Sequence, residues 1–246
     1  MKQHHIQIEP GQIGRYVLMP GDPGRVPVIA AHLDDAQHVA TNREYVTYTG
    51  FLDGEKVSVT STGIGCPSSA IAVEELFRCG ADTFIRVGTS GGIQPGTKSN
   101  DLAIVTGAIR HEGTSSHYIP IEFPAVCDLD VVQAMRNAVQ KLGVRHRVGI
   151  SHSKDSFYGE VEPERSAVSE ELKELWRAWE IGGAICSEME ISTICVVSSI
   201  LRARAGGIMA MHGEGEFGPL DGLITAAVQS VRELIKIDKE KLTTRG

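Results

Sequence analysis

Short apolar runs alternate with helical patterns along the whole chain. The apolar runs predict strands at 16–19, 45–51, 56–61, 83–87, 102–106, 147–151 and 208–211. Helical spacing predicts helices over 67–79, 131–142, 170–181, 190–201 and 220–242, and a first helix capped by Asp22 and running through Leu33. Asp53 and Gly54 predict a tight hairpin turn. Strands alternating with helices are typical of an α/β domain around a central, largely parallel sheet.

The size and composition of the chain narrow the class of protein. The 246 residues, 41% of them hydrophobic, predict a single domain over 1–246 with a full core. The net charge of −7 argues against a nucleic-acid-binding protein, which usually presents a basic face. The chain has no 18-residue apolar run and no N-terminal signal sequence, so we expect a cytoplasmic protein without a membrane partner. Its scattered cysteines predict reduced, buried thiols.

The residues after the first predicted strand, P-G-D-P-G-R, have the composition of an anion site. Gly21 allows a ligand to approach the backbone, and the helix predicted to follow would offer free N–H groups. Arg25 in the first turn opposes the helix dipole, which a bound anion would explain. A tight turn with a solvent-facing arginine explains the same residues equally well.

A second candidate anion site is R-V-G-T-S-G-G at 86–92. Arg86 interrupts an apolar strand, and a charge on a buried strand normally needs a partner. Thr89, Ser90 and the glycines after them offer hydroxyl and backbone N–H groups, as in an oxyanion-binding nest. Arg43 precedes another strand, where an exposed ion pair with a neighbouring glutamate is the simpler interpretation.

Two carboxylates, Glu188 and Glu190, stand two residues apart at the start of an apolar helix in C-S-E-M-E-I-S. Carboxylates at such a position are often only partners of the helix dipole. A carboxylate with two free oxygens also binds a pair of sugar hydroxyls well. Met189 between them can pack on an apolar sugar face or fill the core, which is the commoner fate of a methionine.

Seven motifs follow one another along roughly residues 5–200: V-L-M-P-G-D-P-G-R, N-R-E-Y, V-T-S-T-G-I-G-C-P-S, I-R-V-G-T-S-G-G-I, P-I-E-F-P-A-V, K-D-S-F-Y and S-E-M-E. Together they resemble the nucleoside phosphorylase family, with the uridine phosphorylases a nearer match than the hexameric purine nucleoside phosphorylases. The resemblance implies a three-layer α/β/α sandwich with a central mixed sheet and a hexamer built as a trimer of dimers. It also implies a pentosyltransferase in which phosphate attacks the anomeric carbon of a nucleoside, giving ribose 1-phosphate and the free base. Phosphate is then a co-substrate, and no cofactor is implied.

The resemblance also implies a role for each matching residue. The residues implied to hold phosphate are Gly21, Arg25, Arg86, Thr89 and, from the neighbouring subunit, Arg43. Those implied to hold ribose are Glu190, with Glu188 and Met189 beside it, and His5 across the subunit interface. Ser90, Gly91 and Phe157 would line the base, and Arg86 and Glu190 would be catalytic. Positions that hold a monovalent cation such as K⁺ in some uridine phosphorylases correspond to Glu44, Ile64 and Ser68.

The loop F-Y-G-E-V-E-P-E-R at 157–165 departs from the family pattern. Uridine phosphorylases carry a glutamine and an arginine there that read the uracil edge. Arg165 can take the role of the arginine, but Glu160 stands where the glutamine is expected. An ionised glutamate only accepts hydrogen bonds, so one of its oxygens would repel a uracil carbonyl unless the carboxyl is protonated. The sequence therefore predicts an altered base preference.

The segment I-M-A-M-H-G-E-G-E-F at 208–217 departs as well. It lacks the asparagine and arginine of the uridine phosphorylases and the Ser-Asp pair of the purine enzymes. His212 can serve as an acid near neutral pH, with Glu214 and Glu216 beside it. A surface loop rich in glycine and carboxylates is the better interpretation.

The residues together predict a nucleoside phosphorylase with uridine as its leading substrate. Three arginines suit a phosphate, for which a nucleoside hydrolase of this fold has no use. The alternatives are a phosphorylase for purine or other nucleosides, a hydrolase for a modified nucleoside, and a nucleoside-binding protein that has lost the chemistry. The nine histidines lack the spacing of a metal site.

Overall fold

The computed structural model describes residues 1–243 of the chain. The strands are β1 (Tyr16–Pro20), β2 (Asp34–Asn42), β3 (Tyr45–Leu52), β4 (Glu55–Thr60), β5 (Thr83–Gly92), β6 (Leu102–His111), β7 (Ala125–Val126), β8 (His146–Lys154), β9 (Cys186–Glu188) and β10 (Arg204–His212). The helices are α1 (Arg25–Ala30), α2 (Cys66–Arg78), α3 (Leu129–Leu142), α4 (Phe157–Val161), α5 (Ser169–Ile181), α6 (Ile191–Leu201) and α7 (Asp221–Thr243).

The strands join in one mixed sheet. β1 lies parallel to β5 on one side and to β4 on the other. β5 is also parallel to β10 and, at its carboxyl end, antiparallel to β9. Because β10 continues through β6 and β8 to β9, these five strands close a ring at β5. The mixed sheet implied by the family resemblance is therefore confirmed, and the largely parallel sheet predicted from the alternation of elements is wrong.

Helices cover both faces of the sheet, as two successive residues of β10 show. Successive residues of a strand point to opposite faces of the sheet. On β10, a Cβ on Gly206 would meet Val131 of α3 at 2.4 Å, and one on Gly207 would meet Ile191 of α6 at 3.0 Å. The two glycines thus let one helix approach the strand closely from each side. α7 packs on α3 and α2 packs on α6. The three-layer α/β/α architecture is therefore confirmed.

Several turns and helix ends follow the sequence signals. The Asp128 carboxylate accepts the backbone N–H of Asp130 at 3.0 Å and caps α3. Gly143 ends the same helix in the left-handed region, with φ +64°. Asp53 and Gly54, with φ +50° and +83°, form the predicted hairpin turn between β3 and β4.

Three elements differ from the sequence predictions. The first helix begins at Arg25 and ends at Ala30, because Asp22 accepts the backbone N–H of Gly24 at 2.8 Å and shapes a turn ahead of it. β2 was not predicted, since its sequence D-D-A-Q-H-V-A-T-N is polar and mostly exposed. β9 was not predicted either, since three residues are too few to show a pattern.

β2 is the outermost strand of the sheet. Its pairing with β3 is interrupted by register shifts between Asp34 and Gln37 and between His38 and Ala40. The turn that joins the two strands consists of Arg43, with φ +53°, and the residue after it.

No helix within residues 1–243 is long and apolar enough to cross a membrane. All five cysteines are unpaired and buried, which confirms the prediction of buried thiols.

Candidate active site

Arg86 lies inside the sheet on β5, in register with Met19 of β1 and Gly207 of β10. The residue is only 4% exposed. Its Nε donates to Oε2 of Glu188 at 2.9 Å, and its Nη2 forms an ion pair with Glu190. The partner that a charge on this buried strand requires is therefore the pair of carboxylates in S-E-M-E.

One nitrogen of Arg86 is left unused. Nη1 is buried and has no hydrogen-bond partner among residues 1–243. A buried guanidinium N–H without a partner is costly, so such a group is expected to meet a ligand. Gly88 gives the guanidinium its room, because a Cβ at this position would lie 2.9 Å from both Cζ and Nη2 of Arg86.

Glu188 makes its contacts within the protein itself. Its Oε2 accepts the backbone N–H groups of Glu190 at 2.8 Å and Ile191 at 2.9 Å, besides Nε of Arg86. Its Oε1 accepts the hydroxyl of Ser153 at 2.5 Å. Glu188 thus caps the start of α6 and positions Arg86. It does not offer the two free oxygens that sugar binding requires.

Glu190 is equally buried but keeps more of its hydrogen-bonding capacity. Its Oε1 accepts the backbone N–H of Gly65 at 2.7 Å, and Oε2 receives Arg86 and, at 3.3 Å, the N–H of Met189. Burial raises the pKa of Glu190, Arg86 opposes this effect, and Glu188 adds to it. Oε1 retains a lone pair, so Glu190 is the carboxylate of the pair that can still accept a hydroxyl group.

Gly21, Arg25 and Thr89, which were also predicted to bind phosphate, lie around Arg86, whereas Arg43 does not. The residue before Gly21 is in register with Val87, so β1 and β5 end side by side. Nη1 of Arg25 lies 3.5 Å from the carbonyl oxygen of Val87. Thr89 follows on β5. The carboxyl ends of two neighbouring strands therefore bring these residues into one region, as expected for an open α/β sheet.

The two arginines of this region act on each other. Burial lowers the pKa of Arg25, the Asp22 carboxylate opposes this, and the positive charge of Arg86 lowers it further. Two guanidinium groups that repel each other in a partly buried place favour an anion between them.

Arg43 is the exception. It stands exposed in the turn between β2 and β3, and within residues 1–243 its side chain forms no hydrogen bond or ion pair. The predicted exposed ion pair with a neighbouring glutamate is therefore absent from the described residues. Asn42, just before it, donates to the carbonyl oxygen of His5 at 2.6 Å. Arg43 and His5, the two residues implied to act on a neighbouring subunit, thus lie close together.

His5 is anchored far from the ribose carboxylate of its own chain. Its Nδ1 lies 2.7 Å from Oε1 of Glu75 on α2. Gly65, at the start of α2, donates its backbone N–H to Glu190. Glu75 lies ten residues further along the chain, and at the rise of an α-helix ten residues span roughly 15 Å. The structure therefore does not bring His5 to Glu190 within one chain.

Glu160 lies in a polar cluster at the predicted base end, with its side chain 13% exposed. Its Oε2 accepts Nζ of Lys154 at 2.7 Å and the hydroxyl of Ser187, and Nζ also donates to Ser187 at 2.8 Å. Oε1 lies 3.5 Å from the position of a Cβ on Gly91. Sequence reasoning missed Lys154. The available signal was a lysine at the carboxyl end of a strand, which resembles the signal given by Arg86.

Two histidines extend this cluster into a cavity of about 340 Å³. Nδ1 of His152 lies 3.1 Å from Oγ of Ser187, and Nε2 of His152 lies 2.9 Å from Nδ1 of His111. Burial lowers the pKa of His152 to about 3, with further lowering by His111 and Lys154. The opposite wall of the cavity is the apolar face of α5, formed by Leu172, Leu175, Trp176 and Trp179.

The remaining predicted base residues differ in their environment. Ser90 is buried on β5, whereas Phe157 at the start of α4 is 52% exposed. Arg165 forms an ion pair with Glu162 and lies 6.0 Å over the ring of Tyr158, with 69% of its side chain exposed. The charge of Arg165 is thus paired within its own loop, and its assignment to the base stays a prediction.

The segment after β10 agrees with the surface-loop interpretation. Glu214 forms an exposed ion pair with Lys98, and Glu216 is exposed. His212 is in register with Gly91, but its exposed ring stacks on Phe217 at 3.6 Å between centroids.

The three groups predicted to hold a monovalent cation lie together. Oγ of Ser68 donates to the carbonyl oxygen of Ile64 at 3.2 Å. A Cβ on Gly63 would lie 2.7 Å from Cγ of Glu44 and 3.5 Å from Oγ of Ser68. Carboxylate, carbonyl and hydroxyl oxygens are hard ligands that suit an alkali cation better than a transition metal.

Residues 15–236 match the model of the phosphorylase superfamily. The chain belongs to this superfamily. It is 44% identical to the uridine phosphorylase of Treponema pallidum, over 97% of this chain and 96% of that protein. It is 45% identical to the uridine phosphorylase of Thermococcus kodakarensis, over 97% and 89% of the two chains. Its identity to the guanosine phosphorylase of Halorubrum lacusprofundi is 39%, over 86% and 83%.

Proposed function

We propose that this protein cleaves nucleosides by phosphorolysis, with uridine as the leading substrate, and releases the free base and ribose 1-phosphate. The observation that carries the proposal is the buried, unpartnered Nη1 of Arg86 beside a second arginine, Arg25. Similarity to uridine phosphorylases over nearly the whole chain supports it.

Phosphate would bind where β1 and β5 end. Arg86 and Arg25 offer planar, permanently charged donors that suit its oxygens. The backbone at Gly21 and the hydroxyl of Thr89 add uncharged donors. Because Glu188 fixes Nε of Arg86, the guanidinium is oriented before phosphate arrives, and little reorganisation is needed at the reaction step.

The ribose would lie between this phosphate and Glu190. Oε1 of Glu190, which accepts only the N–H of Gly65 in the protein, can also accept a sugar hydroxyl. As the bond to the base breaks, the sugar gains positive charge, and the base leaves with the bonding electrons. A phosphate dianion held at the anomeric carbon stabilises that charge and then forms the new bond.

The exposed position of Arg43, and the half-buried position of His5 close to it, support an assembly in which a neighbouring subunit completes each site. The hexamer built as a trimer of dimers, a K⁺ ion at Glu44, Ile64 and Ser68, and a cytoplasmic location belong to the same proposal. Each follows from the family resemblance.

A purine nucleoside is the second candidate substrate. The guanosine phosphorylase of Halorubrum lacusprofundi, 39% identical to this chain, favours it.

The test is incubation of the protein with uridine, thymidine, cytidine, inosine, guanosine and adenosine, each with and without phosphate. We expect phosphate-dependent release of uracil at the highest kcat/KM. A purine nucleoside that exceeds uridine would overturn the substrate assignment. Base release that does not need phosphate would indicate a hydrolase, and nucleoside binding without release would indicate a binding protein.

A further inference from the structure

We propose that Lys154 and Glu160 act together as the reader of the base, with Glu160 accepting a ring N–H and Lys154 donating to a carbonyl beside it. The pair would select bases that carry an N–H next to a C=O, which are uracil, thymine, hypoxanthine and guanine. It would reject cytosine and adenine, which present a ring nitrogen lone pair at that place. This inference rests on the proposed function and gives a role in specificity to Lys154, the first residue of the K-D-S-F-Y motif, to which the family resemblance assigned none.

The hydrogen-bond donors of the cluster all point towards Glu160. Lys154 can only donate, and it donates to both Ser187 and Glu160. The single hydroxyl hydrogen of Ser187 therefore goes to Oε2 of Glu160. The contact between Ser187 and His152 must then use an N–H on Nδ1 of His152, which leaves Nε2 to accept from Nδ1 of His111. In this arrangement Oε2 of Glu160 accepts from both Lys154 and Ser187.

One oxygen of Glu160 remains free for a ligand. Oε2 carries the contacts to Lys154 and Ser187, whereas Oε1 forms no hydrogen bond within residues 1–243. Oε1 faces the backbone of Gly91, where the absence of a side chain leaves room. Gly91 itself is paired with Ser187, so strand pairing fixes the carboxylate relative to the base end.

The free groups of the pair form a donor beside an acceptor. Nζ of Lys154 has three N–H groups and uses two of them on Ser187 and Glu160. The third, next to Oε1, reproduces with an ion pair the donor and acceptor that a glutamine amide combines in one group. The repulsion predicted between the second glutamate oxygen and a uracil carbonyl is removed, because that oxygen is turned towards Lys154.

The low exposure of the pair makes its selectivity strong. The side chains of Lys154 and Glu160 are 7% and 13% exposed, so a mismatched base cannot replace its lost hydrogen bonds with water. Sites built to hydrogen-bond a substrate group commonly reject analogues without that group by several orders of magnitude. We therefore expect uridine to exceed cytidine by at least about a hundredfold in kcat/KM, and inosine to exceed adenosine.

The experiment compares kcat/KM for uridine, cytidine and 3-methyluridine, which lacks the N3–H, at saturating phosphate. Glu160→Ala should reduce the preference for uridine over both analogues at least about tenfold, whereas Glu160→Gln, whose amide combines an acceptor and a donor, should keep more of that preference than Glu160→Ala. Lys154→Met should lower kcat/KM for uridine at least about tenfold, and Lys154→Arg should recover part of it. Two matched controls should change none of these ratios: Glu162→Gln, an exposed carboxylate of the same loop, and Lys173→Met, an exposed lysine at the same cavity.

Binding of the free bases provides a readout that does not depend on turnover. Calorimetry with uracil and cytosine in the presence of phosphate, with which neither free base reacts, should show a preference for uracil that Glu160→Ala removes. If the wild-type enzyme cleaves uridine but Glu160→Ala keeps its ratios and its uracil preference, the base-reader inference is wrong and the proposed function stands. If the wild-type protein releases no base from any nucleoside in the presence of phosphate, the proposed function itself fails.

Discussion

Nε of Arg86 and Oε2 of Glu188 lie 2.9 Å apart, and the same oxygen accepts the first backbone N–H groups of α6. One carboxylate thus orients the arginine proposed to bind phosphate and also caps a helix of the core. Replacement of either residue is therefore expected to change turnover and stability together.

The two neighbouring carboxylates should respond differently to neutralisation. Glu188→Gln is expected to raise KM for phosphate and to lower the free energy of unfolding by about 3 kcal/mol, because it removes a buried ionic partner of Arg86 and weakens the cap of α6. Glu190→Gln is expected to raise KM for the nucleoside more than KM for phosphate. Steady-state kinetics with each substrate varied, together with urea unfolding, would measure the difference. A Glu188→Gln variant with normal phosphate KM and normal stability would contradict the positioning role.

Gly88→Ala should disable the enzyme by displacing the guanidinium of Arg86. The new methyl group would lie 2.9 Å from Cζ and Nη2 of Arg86, so the guanidinium must move away from its carboxylates. We expect kcat/KM for phosphate to fall at least about tenfold, which corresponds to about 1.4 kcal/mol of lost transition-state stabilisation.

The matched control for this substitution is Gly222→Ala. No atom lies within 4 Å of a Cβ on Gly222, which is in the first turn of α7. Its kinetics should equal those of the wild type. Equal activity of Gly88→Ala and Gly222→Ala would show that Arg86 does not need its present orientation.

Arg43 and Arg86 should complement each other between subunits. Arg43→Ala and Arg86→Ala are each expected to lose most phosphorolysis, because each leaves the phosphate without one of its cations. If Arg43 acts on the neighbouring subunit, a working site needs Arg86 from its own chain and Arg43 from its neighbour. In randomly mixed assemblies of the two variants, about one site in four combines both arginines, so co-expression should restore about a quarter of the sites.

The measurement is the phosphorolysis rate of co-expressed, co-purified protein against that of the two variants mixed only in the assay. Circular dichroism of each variant would establish that it is folded. Activity that does not rise on co-expression would contradict a contribution of Arg43 from the neighbouring subunit.

His152 should make stability depend on pH. Its pKa is lowered from 6.5 to about 3 in the folded protein, so between these values the unfolded chain binds a proton that the folded chain does not. The contribution of His152 to the free energy of unfolding is therefore fully present above about pH 6.5. It should fall by up to about 1.4 kcal/mol per pH unit as the pH drops towards 3. In the folded protein the ring of His152 faces His111 and Lys154, and both neighbours oppose a positive charge on it.

Chemical denaturation of the wild type and of His152→Asn across pH 4–8 would test this dependence. Asparagine keeps a donor for Ser187 but does not titrate, so the difference in unfolding free energy between the two proteins should change over this range. A difference that is independent of pH would exclude His152 as the source.

The importance of Arg86 was predictable from the sequence, but its pairing with Glu188 and Glu190 was not. Arg86 stands out because an arginine within an apolar strand needs compensation, and the strand–helix alternation places its carboxyl end beside that of β1. Glu188 and Glu190 were recognisable as a carboxylate pair. Nothing in their spacing, however, separates the one that caps α6 from the one with a free lone pair.

The base end depends on contacts between segments that are distant in sequence. Lys154 ends β8, Glu160 lies on the short helix α4, and Ser187 belongs to the three-residue strand β9. The helix α4 and the strand β9 are too short to show a periodic pattern, so the pairing of Glu160 with Lys154 could not be inferred. Arg165 illustrates the same limit, since its charge was assigned to the base although it pairs with Glu162 in its own loop.

The interrupted pairing of β2 has a consequence for association between molecules. A straight outer strand with regular hydrogen-bonding groups is a template on which a second chain can extend the sheet into a fibre. Register shifts at two places and the largely exposed polar residues of β2 prevent such growth. If Arg43 acts on a neighbouring subunit as proposed, that subunit would approach the tip of the β2–β3 hairpin rather than extend the sheet along β2.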